Sequence, residues 1–363
     1  MLSRVSDIRD PLNVWDYERL AEQRLDEASF GYFAGGAGDE HAVRGNVEAF
    51  NGWRLRPRVL VDVGDVTTAT TVLGTELSMP IMAAPIAYQR MAHREGEVAV
   101  ARGAAAAGTL MCLSSFATAS PAEVGDAAEG RRWFQLYWHP DREVTKEMLR
   151  QAKEAGFAAV VLTVDLPVLG PRERDLRTGF ALHPDYRMEV YASALGDLGV
   201  VTPASAAGLV DPRLTWRDLE WLHEHAELPV IAKGILTAED AILAAEHGCD
   251  AVVVSNHGGR QLDRAVASLD ALPEVADAVG DRIEVLMDGG IRRGTDVAIA
   301  LALGARAVLV GRPVIWGLAV RGAEGVEHVF GLLRDELLLA LALLGCSSPD
   351  AVGGSHVTPA PRG

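Results

Sequence analysis

PVIAKGILTAEDAILAAEHGCDAVVVSNHGG, residues 229–259, reads as one complete structural unit. Its first run, PVIAKG, is apolar on both alternating positions, as a strand covered on both faces should be. TAEDAILAAEHG follows, with apolar residues at helical spacing and a glycine at its close. AVVVSN then repeats the strand. Strand, helix and strand in about 30 residues is the unit that builds parallel sheets. The unit ends on SNHGGRQLD, residues 255–263, where Ser, Asn, His, Gly-Gly and Arg stand at the mouth of a buried strand. These are poor packing materials, so the end of the strand is a place for chemistry.

The same unit recurs on both sides. PIMAAP (80–85), LMCLSS (110–115), WFQLYW (133–138) and AAVVLTVD (158–165) precede it, and EVLMDGG (284–290) and AVLVGRP (307–313) follow. EGEVAVARGAAAAG, DREVTKEMLRQAKEAG and GTDVAIALALG supply helical patterns between them. Eight alternations predict a (β/α)8 TIM barrel, one domain over residues 1–363. An open doubly wound sheet is the alternative, and eight well-spaced repeats argue against it. Residues 1–79 form an N-terminal arm with a helix from Trp15 to about Phe33. Residues 175–220, after the fourth strand, are too long for an ordinary crossover and are expected to form a lid or an oligomer contact. LLLALALLG, 337–345, is too short to span a bilayer and reads as a buried helix. The tail, 352–363, is expected to be disordered.

A formal charge of −16 disfavours nucleic acid or an anionic membrane as partner. Cys112, Cys249 and Cys346 have no metal-ligand spacing and read as buried free thiols, which fits a reducing cytoplasm. MLSRVSDIRDPLNVWDY has no apolar signal region. A cytoplasmic enzyme is the expectation.

In such a barrel the chemistry sits at the C-terminal strand ends. This chain places there Ser114, Ser115, Gln135, Tyr137, Thr163, Asp165, Lys233, Ser255, His257, Asp288 and Arg312. Any one of them has a structural reading as a helix cap or a solvated side chain. Together they are costly near a barrel core, and that points to a site. DGGIRRG and GRP, at the last two strand ends, read as a phosphate site in which Arg292 and Arg312 neutralise the charge. AGGAG, 34–38, precedes no strand–helix phosphate turn and is not read as a dinucleotide fingerprint.

SNHGGRQLD, LTVDLPVLGPRERD, IAKGILTAEDA, MAAPIAYQRMAHREGE, WFQLYW and LMDGGIRRGTDV together resemble the FMN-dependent α-hydroxy-acid oxidase and dehydrogenase family over about residues 15–345. The family includes glycolate oxidase, lactate oxidase, mandelate dehydrogenase and flavocytochrome b2. The resemblance implies FMN as cofactor and a small 2-hydroxy acid as substrate. It makes His257 the catalytic base and Asp165 its orienting carboxylate. Arg172 and Arg260 would clamp the substrate carboxylate, with Tyr32 adding a hydrogen bond and Tyr137 meeting the substrate oxygen. Lys233 would hold the negative charge of the reduced flavin. Pro85, Ile86, Ala87, Ser114, Gln135, Thr163 and Ser255 would line the flavin and its ribityl chain. Asp288, Gly289, Gly290, Arg292, Gly311 and Arg312 would hold ribityl and phosphate. A homotetramer or homo-octamer is implied as well.

Departures from the family pattern bear on substrate and acceptor. Ile86 stands where Thr is frequent, and Pro171 where Arg is frequent beside Arg172. Phe116 stands where glycolate oxidases carry Trp, and Tyr88 where they carry Met. With the RDLRTGF segment these resemble actinobacterial 4-hydroxymandelate and mandelate oxidases most closely, so an aromatic hydroxy acid is expected to contact Tyr88 and Phe116. Tyr88 as a packing residue is the competing reading. The absence of a haem domain disfavours a flavocytochrome. The absence of an amphipathic insertion, and Ala87 where membrane-bound mandelate dehydrogenases tend to have Gly, disfavour a quinone-linked enzyme. Oxygen, giving hydrogen peroxide, is the expected acceptor. A lactate or glycolate oxidase, a barrel lyase using Lys233 as a Schiff-base amine and a non-catalytic barrel are the remaining readings.

Overall fold

The structure, a computed structural model, describes residues 10–361. Most of the N-terminal stretch read for a signal lies outside them. The eight apolar runs become eight strands: β1 Ile81–Ala83, β2 Cys112–Ser114, β3 Trp133–Leu136, β4 Ala159–Thr163, β5 Val230–Ile235, β6 Ala251–Val254, β7 Glu284–Asp288 and β8 Ala307–Val310. Neighbours pair in parallel from β2 through β8, and β8 pairs with β1. A bridge between Ala83 and Met111 joins the two ends of the row. The expected (β/α)8 barrel is the fold.

Alternation along each strand separates two apolar environments. Val160 and Leu162 face the helices, where they join the large outer core. Met82, Cys112, Trp133, Val161, Ile231, Val253, Leu286 and Leu309 fill the lumen. A hairpin, Thr70–Val72 with Thr75–Leu77, adds Val72 and Leu77 to that cluster and plugs the N-terminal end. The other end stays open for the loops.

The arm departs from the expected single helix. It breaks into Val14–Arg24 and Glu27–Ala34, because the Asp26 side chain accepts from the Ser29 N–H and starts a second helix. The insertion after β4 carries four helices, Glu173–Thr178, Glu189–Leu195, Pro203–Ala207 and Asp218–Ala226. The expected disordered tail is corrected through residue 361. Val357–Pro359 pairs antiparallel with Trp53–Leu55, and Val357 is buried. The Ala360 N–H donates to the Gly52 carbonyl at 2.7 Å, so the ribbon's hydrogen bonds and one apolar anchor hold the segment.

LLLALALLG closes the helix Arg312–Leu344, which is broken at Arg321–Gly322. Only one side of it is buried. Leu337, Leu341 and Leu344 enter the core, while Leu338, Leu339 and Leu343 are exposed. Among the described residues no helix is long and apolar enough to cross a membrane, and the three cysteines are free and buried.

Candidate active site

The site is the next layer of the lumen. Two residues beyond Cys112, Trp133, Val161, Ile231, Val253 and Leu286 stand Ser114, Gln135, Thr163, Lys233, Ser255 and Asp288, so strand alternation aims all six inward at the open end. All six are buried. Lys233 Nζ lies 2.9 Å from Asp288 Oδ2 and donates to Ser255 Oγ at 3.0 Å, and Ser255 Oγ donates to Asp288 Oδ1 at 2.6 Å. Burial opposes the lysine's charge, but Asp288 and Asp165 outweigh it and hold its pKa above the ordinary value. A Schiff-base amine needs the opposite shift, so the lyase reading loses its nucleophile.

The turn after β6 carries His257. His257, Gly258 and Gly259 have φ of 59°, 63° and 77°, three consecutive left-handed residues. Gly259 is obligatory, since a Cβ there would sit 2.5 Å from the Val43 nitrogen. His257 is the non-glycine held in that strained region, and the turn aims its ring across the lumen. Nδ1 lies 2.8 Å from Asp165 Oδ1, and Nε2 lies 3.4 Å from the Tyr137 hydroxyl. Burial raises the Asp165 pKa, but His257 and Lys233 bring it below the usual carboxylate range. Ionised, Asp165 can only accept, so Nδ1 carries the proton and Nε2 keeps the lone pair. Burial lowers the His257 pKa more than Asp165 restores it, with Lys233 and Arg172 adding to the fall. The imidazole is therefore neutral at neutral pH, as a base should be.

Arg172 and Arg260 stand beside the imidazole. Arg172 Nε donates to the Arg260 carbonyl at 3.4 Å, and both side chains line the cavity. Burial and the neighbouring Arg172 push the Arg260 pKa down to about 10. The Arg260 guanidinium lies 4.7 Å over the Tyr32 ring. A buried and a half-buried cation facing one cavity can receive a small carboxylate.

Aromatic rings cover this end. Tyr32 stacks on Phe180 at 4.3 Å, Phe116 lies 4.6 Å from Tyr137, and Tyr88 is near-parallel to Phe116 at 6.4 Å. Tyr88 is itself strained at φ 60° and buried, and its hydroxyl donates to Met188 Sδ at 3.7 Å.

One cavity joins the whole set, enclosing about 1140 Å³ out to open solvent. Every expected site residue lines it except Ser115, Asp165 and Ser255, of which Asp165 contacts His257 and Ser255 contacts Lys233. Leu166, Leu169, Pro203, Ala206 and Ala207 line it too, and Phe180 and Tyr191 pack on its aromatic residues. Five of the seven belong to the insertion, and Leu166 and Leu169 lie in the loop that leads into it. Its length signalled a cover, but small apolar residues carry no chemical mark in a sequence.

The cofactor end meets a test of fit. Gln135 Nε2 and Arg292 Nε are buried donors without partners in the protein, at the wall where flavin and phosphate are expected. Pro85, Ile86 and Ala87, after β1, line the same cavity, and a Cβ on Gly311 would find nothing closer than 3.8 Å, so that part of the rim is open to a ligand. Gly290 serves another purpose, because a Cβ there would strike the Asn46 carbonyl oxygen at 2.0 Å. Arg312 is largely committed to the protein. It donates to the carbonyls of Phe33, Gly258 and Gly35 at 3.1, 3.0 and 2.9 Å, leaving two of a guanidinium's five N–H groups.

A barrel rim that joins a His–Asp pair, two arginines and a cleft with unpartnered donors fits an oxidoreductase of small hydroxy acids. The sequence matches the FMN-dependent dehydrogenase family model over residues 21–359, and the chain belongs to that family, with FMN as cofactor. It is 50% identical to an L-lactate oxidase from Nostoc sp. over 94% of this chain and 96% of that protein. It is 47% identical to a glycolate oxidase from Spinacia oleracea over 95% of each. A crystal structure of a mandelate oxidase superposes with a TM-score of 0.89 at 40% identity, covering 97% of this chain and 99% of that one.

Proposed function

We propose that the protein oxidises an (S)-2-hydroxy acid of the mandelate type, 4-hydroxymandelate included, to the 2-oxo acid, with oxygen as acceptor and hydrogen peroxide as second product. The observation that carries the reaction class is His257 Nε2, lone pair outward, in the same cavity as Arg172 and Arg260. The guanidinium pair binds the carboxylate and so presents the α-carbon and its hydroxyl to the imidazole. His257 takes a proton from the substrate, and Asp165, 2.8 Å from Nδ1, stabilises the imidazolium that results. Tyr137 donates towards the substrate oxygen; burial keeps its phenol protonated. FMN supplies the two-electron acceptor. Lys233, Gln135, Ser114 and Thr163 are the groups at the flavin's polar edge, and the lysine's retained charge suits it to stabilise an anionic reduced ring.

The aromatic substrate is supported by the rings of Tyr88, Phe116 and Phe180 over the cavity and by the likeness to mandelate oxidase. The higher identity to a lactate oxidase supports the second reading, a small aliphatic hydroxy acid. One anaerobic panel decides between them. Bleaching of the flavin band is expected to be faster with (S)-mandelate than with lactate or glycolate, and the reverse order would replace the first reading by the second. Reoxidation in air, timed against reoxidation by a quinone, tests the acceptor. The exposed Leu338, Leu339 and Leu343 support a homo-oligomer, which light scattering would detect.

A further inference from the structure

The AGGAG stretch, residues 34–38, takes no part in a phosphate turn, yet the arm, the catalytic turn and the lid all meet at it. Arg260 Nη1 donates to the carbonyls of Tyr32 and Gly35. Arg312 Nη2 donates to the same Gly35 carbonyl at 2.9 Å. One backbone oxygen thus receives both guanidinium groups. We propose that the loop 34–40 is a positioning device for Arg260, setting the guanidinium that takes the substrate carboxylate and transmitting the seating of the lid to it. The proposal rests on the hydroxy-acid reading above.

The loop is pinned on both sides of the carboxylate receptor. The Ala37 N–H donates to the carbonyl of Gly259, the residue before Arg260, at 2.9 Å. The Gly38 N–H donates to the carbonyl of Pro171, the residue before Arg172, also at 2.9 Å. Glu40 closes the clasp: Oε1 accepts from the Gly36 N–H at 3.1 Å, and Oε2 meets Arg174 Nη2, on the lid helix, at 2.7 Å. The chain has no slack here. A Cβ on Gly36 would stand 2.2 Å from Val43 Cγ2 and 2.8 Å from the Gly259 oxygen, and one on Gly35 would stand 2.6 Å from the Gly31 oxygen. Arg260 is half-buried beside other cations, and fixed carbonyl dipoles hold it against repulsion from Arg172 and Arg312.

The test uses the FMN-loaded protein and benzoate, a carboxylate with no oxidisable hydroxyl, followed by the perturbation of the flavin spectrum. Gly36→Ala is expected to raise the benzoate Kd and the KM by about tenfold, the scale of a small misplacement of a binding group, with kcat changed far less. Glu40→Gln, which cuts the lid link without a clash, is expected to raise both by about threefold, as loss of a half-exposed ion pair would. Gly45→Ala is the control, since a Cβ there meets nothing within 4 Å. A folded Gly36→Ala with wild-type benzoate affinity overturns the proposal, as does a fall in kcat with KM unchanged. If Gly36→Ala does not fold, Glu40→Gln decides alone, and unchanged affinity overturns it. Benzoate that leaves the wild-type spectrum untouched sinks the carboxylate receptor itself and this proposal with it. A perturbed wild type with unperturbed variants sinks only the clasp.

Discussion

The floor and the rim of the barrel lumen are built on the same strands, two residues apart, and they behave as different materials. The floor, Cys112, Trp133, Val161, Ile231, Val253 and Leu286, is dry and almost wholly inaccessible. The rim directly above it, Ser114, Gln135, Thr163, Lys233, Ser255 and Asp288, is equally buried and nearly all polar. One pleat separates side chains whose burial stabilises the fold from side chains whose burial needs compensating partners. The floor is satisfied by packing. The rim is satisfied in part by itself, through Lys233, Ser255 and Asp288, and in part not at all, at Gln135 Nε2.

The sharpest way to break this division is at His257, the proposed base on the turn that follows the rim. His257→Gln is expected to lower kcat by about 10²–10⁴-fold, the usual contribution of a general base, while the flavin band and melting temperature stay close to wild type. A variant that lost its flavin or its fold would show that the catalytic turn is part of the frame and would erase the distinction.

Next in size is the floor. Ile231→Ala is expected to cost about 2–5 kcal/mol of stability, as cavity-forming truncations of buried aliphatics do, with kcat per bound flavin unchanged. Gln135→Ala, two strands away on the rim, is expected to do the reverse. Stability would change by less than about 1.5 kcal/mol, because the hydrogen bonds it gives up to Ser114 and the Ser115 N–H are modest, while FMN affinity falls about tenfold. Denaturant melts and flavin-release fluorescence read the two effects separately. Equal stability losses would mean that rim and floor are one core.

The same division explains what the sequence disclosed. The strands were legible because a strand buried on both faces has few alternative readings, and the rim was legible because Lys, His and Asp are costly there without a reason. The chemistry of AVVVSNHGG could be read locally for that cause. The tail ribbon could not, since Val357–Pro359 is a strand only by virtue of Trp53–Leu55, far away in the chain. The arm's break at Asp26 was present as a capping residue but was outweighed by the longer helical pattern. Arg312 reads as a phosphate ligand from its place after β8, and only the folded arm reveals the three carbonyls that hold it. Phe180 and Tyr191 lie in an insertion whose length announces a cover and whose residues do not announce which of them face inward.

The rim's electrostatics give a prediction of smaller amplitude. Burial holds the His257 pKa below its ordinary value of 6.5, and as the proposed base it would work only when neutral. The acid limb of kcat/KM should therefore fall below pH 6.5, activity rising with pH through it. Asp165 raises that pKa, so Asp165→Asn should move the limb to lower pH, even as the plateau drops for want of a partner for the imidazolium. Lys233 lowers it, so Lys233→Met should move the limb to higher pH. Limbs that shift together would show that His257 is not the titrating group.

The smallest effect is expected at Tyr88→Phe, and it bears on the region that belongs to neither floor nor rim. Tyr88 stands in the loop after β1 in a left-handed conformation that a bulky residue adopts only when its surroundings hold it. Its N–H donates to the Phe116 carbonyl at 3.3 Å, and the next N–H, of Gln89, donates to the buried Glu97. Glu97 also accepts from the N–H and hydroxyl of Thr118, so one carboxylate ties together the loops that carry Tyr88 and Phe116. The conformation is thus secured by the backbone, and the phenol hydroxyl, with a thioether as its protein partner, adds little to it. Loss of that hydroxyl should change stability by less than about 1 kcal/mol. If the aromatic end of the cavity is a substrate contact, the variant's KM should move by about two- to fivefold for ring-substituted mandelates, the scale of one neutral hydrogen bond, and hardly at all for lactate. A change of the same size for every hydroxy acid would make Tyr88 a packing residue, and the aromatic roof would then belong with the floor.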